Sequence, residues 1–159
     1  MADKIFPKGW KPIGIIGDVN PIEHWGGIVY ETSYGPQLLY FQESEDTVYV
    51  HNVTIEDDVW ADVNWADINE IAQYTGVSTE ELREAGSSSN PLARAQVYEA
   101  IASYNGWSNF DDQPETMTVK QAERKYGSAV DAAHEHENQS RRKKVGKSEN
   151  SQLKSKLLR

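Results

Sequence analysis

Two hydrophobic periods divide this chain, and their order limits its fold more than any other feature. Residues 12–55 hold short β-branched and aromatic runs separated by turn signals, whereas residues 64–137 fall into helix-length blocks with caps at their ends. Strands joined by short turns pair as an antiparallel meander, because parallel neighbours need long crossovers. A lone sheet leaves its apolar face in water, so the helices that follow must cover it. The expected architecture is α+β: an N-terminal antiparallel β-meander of three or four strands, packed by four or five C-terminal helices.

In the first half, residues 12–17 place Ile13 and Ile15 on one face. GIVYET (27–32) follows, then the turn Ser33-Tyr34-Gly35-Pro36, then QLLYFQ (37–42), then a second turn over 43–46. Along 47–55, Val48 and Val50 face one way and Tyr49, His51 and Val53 the other. In the second half, Asn64 reads as the cap of a helix that starts at Trp65 and ends near Thr75-Gly76. Ser78 and Glu81 form a capping box for a short helix ending at Gly86. Asn90, with Pro91 at the first helical position, opens a helix to about Tyr104, stopped by Asn105-Gly106. Its buried stripe is Ala93, Val97, Ala100, Ile101 and Tyr104, with Gln96, Glu99 and Ser103 opposite. Residues 107–117 read as a loop. Thr118 and Gln121 box the start of a helix that turns Val119, Ala122 and Tyr126 inward, ends at Gly127, and restarts at Ser128 with Val130, Ala132 and Ala133.

The length of 159 residues fits one domain, with residues 1–138 as the folded body and 139–159 as a flexible basic tail. Ordering each tail residue costs roughly 1–2 kcal/mol, and after His136 little apolar surface is available to offset it. The chain carries 16 basic and 25 acidic residues, net −9; residues 139–159 hold eight Lys or Arg against Glu149, or +7, so the body carries −16. Such a body repels nucleic acid and attracts basic partners, and the tail does the reverse. With no Cys, disulfides and thiolate chemistry are excluded. No apolar run approaches the roughly 20 residues of a membrane span, and MADKIFPKGWKP lacks a signal-peptide core, so a cytoplasmic location is expected.

Five groups of residues could carry function. Ala72, Gly76 and Leu82 lie in IAQYTGVSTEELREA, which resembles the bihelical core of helix-turn-helix proteins. Its second helix would present Glu80, Glu81 and Glu84 beside Arg83 alone, a poor match for phosphate. The acids Asp57, Asp58 and Asp62 surround Trp60 and Trp65, and aromatic anchors ringed by charge are typical of protein-binding hot spots. His134 and His136, two apart, do not share a helix face and lack companions for a metal set. The loop 17–27 gathers Asp18, Glu23 and His24, a histidine beside carboxylates that could act as a general base, although no nucleophile motif accompanies it. In the tail, Arg141, Arg142, Lys143 and Lys144 form a basic cluster, and Leu153, Leu157 and Leu158 lie among Lys154 and Lys156 with the spacing of one helical side.

These features favour a non-catalytic, regulatory or interaction protein that binds another protein through its acidic, aromatic-rich body, with the tail as a tether. Three alternatives stay open: a nucleic-acid binder using the tail and the helix-turn-helix-like pair, a DNA-mimic inhibitor, and a small hydrolase built on residues 18–25. No cofactor, metal or membrane partner is expected.

Overall fold

The computed structural model describes residues 10–17, 26–111 and 113–143. Four strands follow the apolar runs: β1 (Lys11–Gly17), β2 (Gly26–Thr32), β3 (Gly35–Ser44) and β4 (Thr47–Thr54). Each pairs antiparallel with the next, and short turns join β2 to β3 and β3 to β4. A fifth strand, β5 (Glu115–Thr118), pairs with Thr47–Val50 of β4, so the sheet order is β1-β2-β3-β4-β5. This strand corrects the loop expected over 107–117, which also contains a 3-10 turn at Trp107–Asn109. Four residues of ETMT carry too little pattern to announce a strand; the open edge of β4 supplies their partners.

The helices are α1 (Val59–Asp62), α2 (Ile68–Thr75), α3 (Thr79–Gly86), α4 (Pro91–Asn105) and α5 (Val119–Lys143). The expected caps of α3, α4 and α5 are formed: Ser78 Oγ accepts from Glu81 N at 3.1 Å and Asn90 Oδ1 from Leu92 N at 3.0 Å. At α5, Thr118 and Gln121 exchange both bonds of a capping box, at 2.9 and 3.1 Å. The first helix differs from expectation. Asp67, not Asn64, caps α2, its carboxylate accepting from Asn69 N at 2.8 Å, while Asp58 caps the separate single turn α1. Gly76 ends α2 at φ 79, a left-handed conformation that a glycine adopts without strain.

Helices cover both faces of the sheet. On one face Ile16, Val29, Leu38, Tyr40 and Val53 pack under α1–α4, with α4 central. On the other, Ile28, Leu39, Phe41, Val48 and Val50 pack under α5, through Ala122, Tyr126, Ala129, Val130 and Ala133. The expected alternation along β4 holds, with Val48 and Val50 on the α5 side and Val53 on the α4 side. In β1 it does not: a bulge between Pro12 and Gly14 puts Ile13 on the α4 side and Ile15 on the α5 side.

The break expected at Gly127 is absent, and α5 is one helix of 25 residues. A mid-helix glycine costs about 1 kcal/mol relative to alanine, less than burying Tyr126 and Val130 on either side of it gains. From Val119 to Ala133 the helix rises about 21 Å, which matches the roughly 19 Å width of five strands. It therefore crosses the whole sheet from β5 to β1. At β1 the Glu137 carboxylate accepts from Ile15 N at 3.2 Å, capping part of that edge. Helical backbone continues to Lys143, beyond residue 139 where the sequence places the start of the tail.

Candidate functional site

Packing among the α4-side helices leaves a groove of about 300 Å³ between α2, α3 and α4. Its walls are the apolar Val77, Leu82, Ala85, Val97 and Ala100. Behind α3 the packing is tight. The Trp60 indole donates from Nε1 to the Leu82 carbonyl at 2.8 Å and lies against Gly86, where no side chain intervenes. The following loop is tied by Arg94, a buried side chain whose Nη1 donates to Ser88 O at 2.6 Å.

Tyr74 lines the groove, and Tyr104, next to the lining residue Ser103, packs against Tyr74. Tyr74 of α2 is 56% exposed and Tyr104 of α4 is 43% exposed, and their ring centroids are 5.2 Å apart. The Tyr104 hydroxyl donates to Glu70 Oε2 at 3.1 Å, and that hydrogen bond to a carboxylate raises the Tyr104 pKa. Among the described residues, two carboxylic acids line the groove, Glu81 and Glu99, and no Lys or Arg does. Glu99 accepts from the Tyr40 hydroxyl at 2.7 Å. Burial pushes the Glu99 carboxyl above its ordinary pKa, and the Tyr40 hydrogen bond only partly opposes this. Gln96 Nε2 is buried beside it with no hydrogen-bond partner. The groove thus combines apolar walls, aromatic lips and acceptor or acidic groups, which suits an apolar segment bearing positive charge.

A second, polar concavity of about 490 Å³ lies at the outer edge of β4, where β5 stops pairing. There Asp111 Oδ2 accepts from Asn52 N at 3.0 Å, closing part of the free strand edge. Glu115 takes hydrogen bonds from Lys125 and Tyr126. Burial raises the Glu115 pKa, but those bonds outweigh it and leave the carboxyl below its ordinary value. These contacts satisfy one another and fasten β5 to α5. Nearby, His51 stacks on Trp107 at 5.2 Å, with Nε2 2.7 Å from Gln42 Oε1. Burial lowers its pKa, against a smaller opposing pull from Asp111.

The residues singled out from sequence separate into distinct roles. Trp60 is mostly a packing residue, fixed by Leu82 and Gly86. Trp65 is half-exposed and meets Phe110 edge-on at 5.1 Å. Asp57, Asp58 and Asp62 are exposed around α1, and Asp58 caps it, so part of this acidic patch shapes the backbone. The pair resembling a helix-turn-helix is present as α2 and α3, joined through Gly76, and its exposed surface carries Glu80, Glu81 and Glu84 beside Arg83. His134 and His136 lie on helical backbone, and no group of acids and histidines fit to hold a metal occurs among the described residues. Asp18, Glu23 and His24 lie outside the described residues, as do Lys144, Leu153, Lys154, Lys156, Leu157 and Leu158. Arg141, Arg142 and Lys143 sit on the last turn of α5. No helix of the described residues is long and apolar enough to cross a membrane.

Sequence reasoning missed the groove because it assigned Gln96, Glu99 and Ser103 to the solvent face of α4. The available signal was Leu92, Tyr98 and Ala102, apolar residues outside the single stripe, which together mean that α4 is covered on more than one side. No family model, curated protein or solved structure matches this chain.

Proposed function

We propose that this protein is a non-catalytic interaction protein, and that the groove between α2, α3 and α4 binds a basic, partly apolar segment of another protein. The observation that supports this best is the pair of exposed tyrosines, Tyr74 and Tyr104, beside apolar walls that carry the carboxylates Glu81 and Glu99 and, among the described residues, no Lys or Arg. Exposed aromatic side chains beside an apolar cleft are the usual anchors of protein interfaces. Acids around them favour a basic partner and penalise an acidic one. The half-exposed Trp65 and the acids Asp57, Asp58 and Asp62 extend the same character over α1 and the approach to α2. The basic residues beyond α5 act as a tether that tunes this contact.

A photoreactive phenylalanine analogue placed at Tyr104 in the full chain tests the reading in nuclease-treated lysate of the native cells. The same analogue at Tyr34, 89% exposed in the β2–β3 turn, serves as the reference. A discrete protein adduct from position 104, absent from position 34 and weakened by Glu81→Lys, supports the proposal. Equal adducts at both positions, or no protein adduct at 104, overturns it.

A further inference from the structure

We infer that the groove has an occupant within the chain itself: residues 153–159, Leu-Lys-Ser-Lys-Leu-Leu-Arg, dock between α2, α3 and α4 and compete with the external partner. The inference rests on the reading of the groove as a docking site and adds its regulation.

Charge and composition are complementary. The groove offers apolar walls and two acids without a basic side chain, and the segment offers three leucines and three positive charges, at Lys154, Lys156 and Arg159. The Leu spacing puts all three near one side of a helix, the form in which an amphipathic segment fills a groove.

Reach is sufficient, although α5 and the groove lie on opposite faces of the sheet. At the β1 edge the two helical layers converge: a Cβ built on Gly14 would meet Glu137 Oε2 of α5 at 2.7 Å and Leu92 Cδ2 of α4 at 2.9 Å. From Glu137 to Lys143 the helix advances about 9 Å, and from Leu92 to Ser103, at the far end of the groove, about 17 Å. The nine residues 144–152 can span about 30 Å when extended. A segment tethered at this distance experiences an effective concentration of order millimolar, so even a weak intrinsic affinity populates the docked state.

The chain has no Cys, so a disulfide can be placed cleanly. Ser103 lies in the groove wall and Ser89 in the α3–α4 loop, and both are exposed. Ser89 is closer in sequence to Leu92 than Ser103 is, and an undocked tail meets it at least as often. The full chains Ser103→Cys/Ser155→Cys and Ser89→Cys/Ser155→Cys are oxidised under identical mild conditions, with each rate normalised to the reactivity of the separate thiols. Docking is supported when the 103–155 bond forms several-fold faster than the 89–155 bond and when Leu153→Asp with Leu157→Asp removes the excess. Equal rates overturn the inference, as does an excess that survives the aspartates. No partner takes part, so failure here leaves the partner-binding reading standing, while failure of the photo-crosslinking leaves a groove reserved for the tail.

Discussion

Tyr40 on the middle strand and Glu99 on the central helix are joined by one hydrogen bond, in which the Tyr40 hydroxyl donates to Glu99 Oε2 at 2.7 Å. This bond lies beneath the groove and fixes a carboxylate where the apolar walls of α3 and α4 meet. Tyr40 is itself stacked on Trp107 at 4.4 Å, a packing contact that restrains the ring bonded to the acid.

The pH dependence of stability reports on that pair. Burial raises the Glu99 pKa in the folded state, so the folded chain holds its proton more tightly than the unfolded chain does. Stability from this group is fully present below the unfolded value, near 4.3, and is lost as pH rises through the folded value. Glu99→Gln keeps an acceptor for Tyr40 and removes the titration. In urea unfolding between about pH 4 and pH 8, wild type should lose stability relative to Glu99→Gln as pH rises. Tyr40→Phe, which removes the donor that favours ionised Glu99, should steepen the loss. Parallel curves for wild type and Glu99→Gln would contradict the burial of this acid.

His51 should show the opposite slope. Its folded pKa is lowered by burial, so the unfolded chain binds the proton more readily, and stability falls as pH drops below about 6.5 towards the folded value. An NMR titration of the ring should place the His51 midpoint below the ordinary histidine value of about 6.5. A midpoint at or above that value would show that the stack on Trp107 opens in solution.

Two glycines in helices should respond with opposite signs. A Cβ on Gly86 falls 2.7 Å from Trp60 Nε1 and closer still to Cδ1, and the ring is held by its bond to Leu82 O. Gly86→Ala should therefore destabilise the protein by about 1–3 kcal/mol, the usual range for overpacking. Gly127 has open space at its Cβ position, and Gly127→Ala should stabilise by about 0.5–1 kcal/mol through helix propensity. Chemical denaturation of both variants checks the pair, and shifts of the same sign would refute it.

The capping box of α5 should matter beyond its own two bonds, because among the described residues α5 is the one helix over this sheet face. Thr118→Ala should cost about 1 kcal/mol. Hydrogen exchange should quicken first over residues 119–126, while α4 keeps its protection. Uniform quickening across both helices would mean that the two layers open as one unit.

Local chemistry was enough to read much of this protein. The turns from β2 to β3 and from β3 to β4, the caps at Ser78, Asn90 and Thr118, and the stop at Gly106 depend on residues within a few positions of each other, so their signals are complete in the sequence. From the sequence, one covered sheet face is expected; the structure covers both, and the unbroken apolar run Leu38-Leu39-Tyr40-Phe41 is buried between the two layers. Other features needed partners distant in the chain. Glu115–Thr118 becomes a strand because β4 has a free edge, and α5 passes Gly127 because the second sheet face rewards a continuous helix. Glu99 leaves the solvent because Tyr40, 59 positions away, and the walls of α3 close around it. Periodicity assigns a face to each residue of a helix, but only tertiary packing decides how many faces are covered, and the groove exists where three covering helices fail to meet.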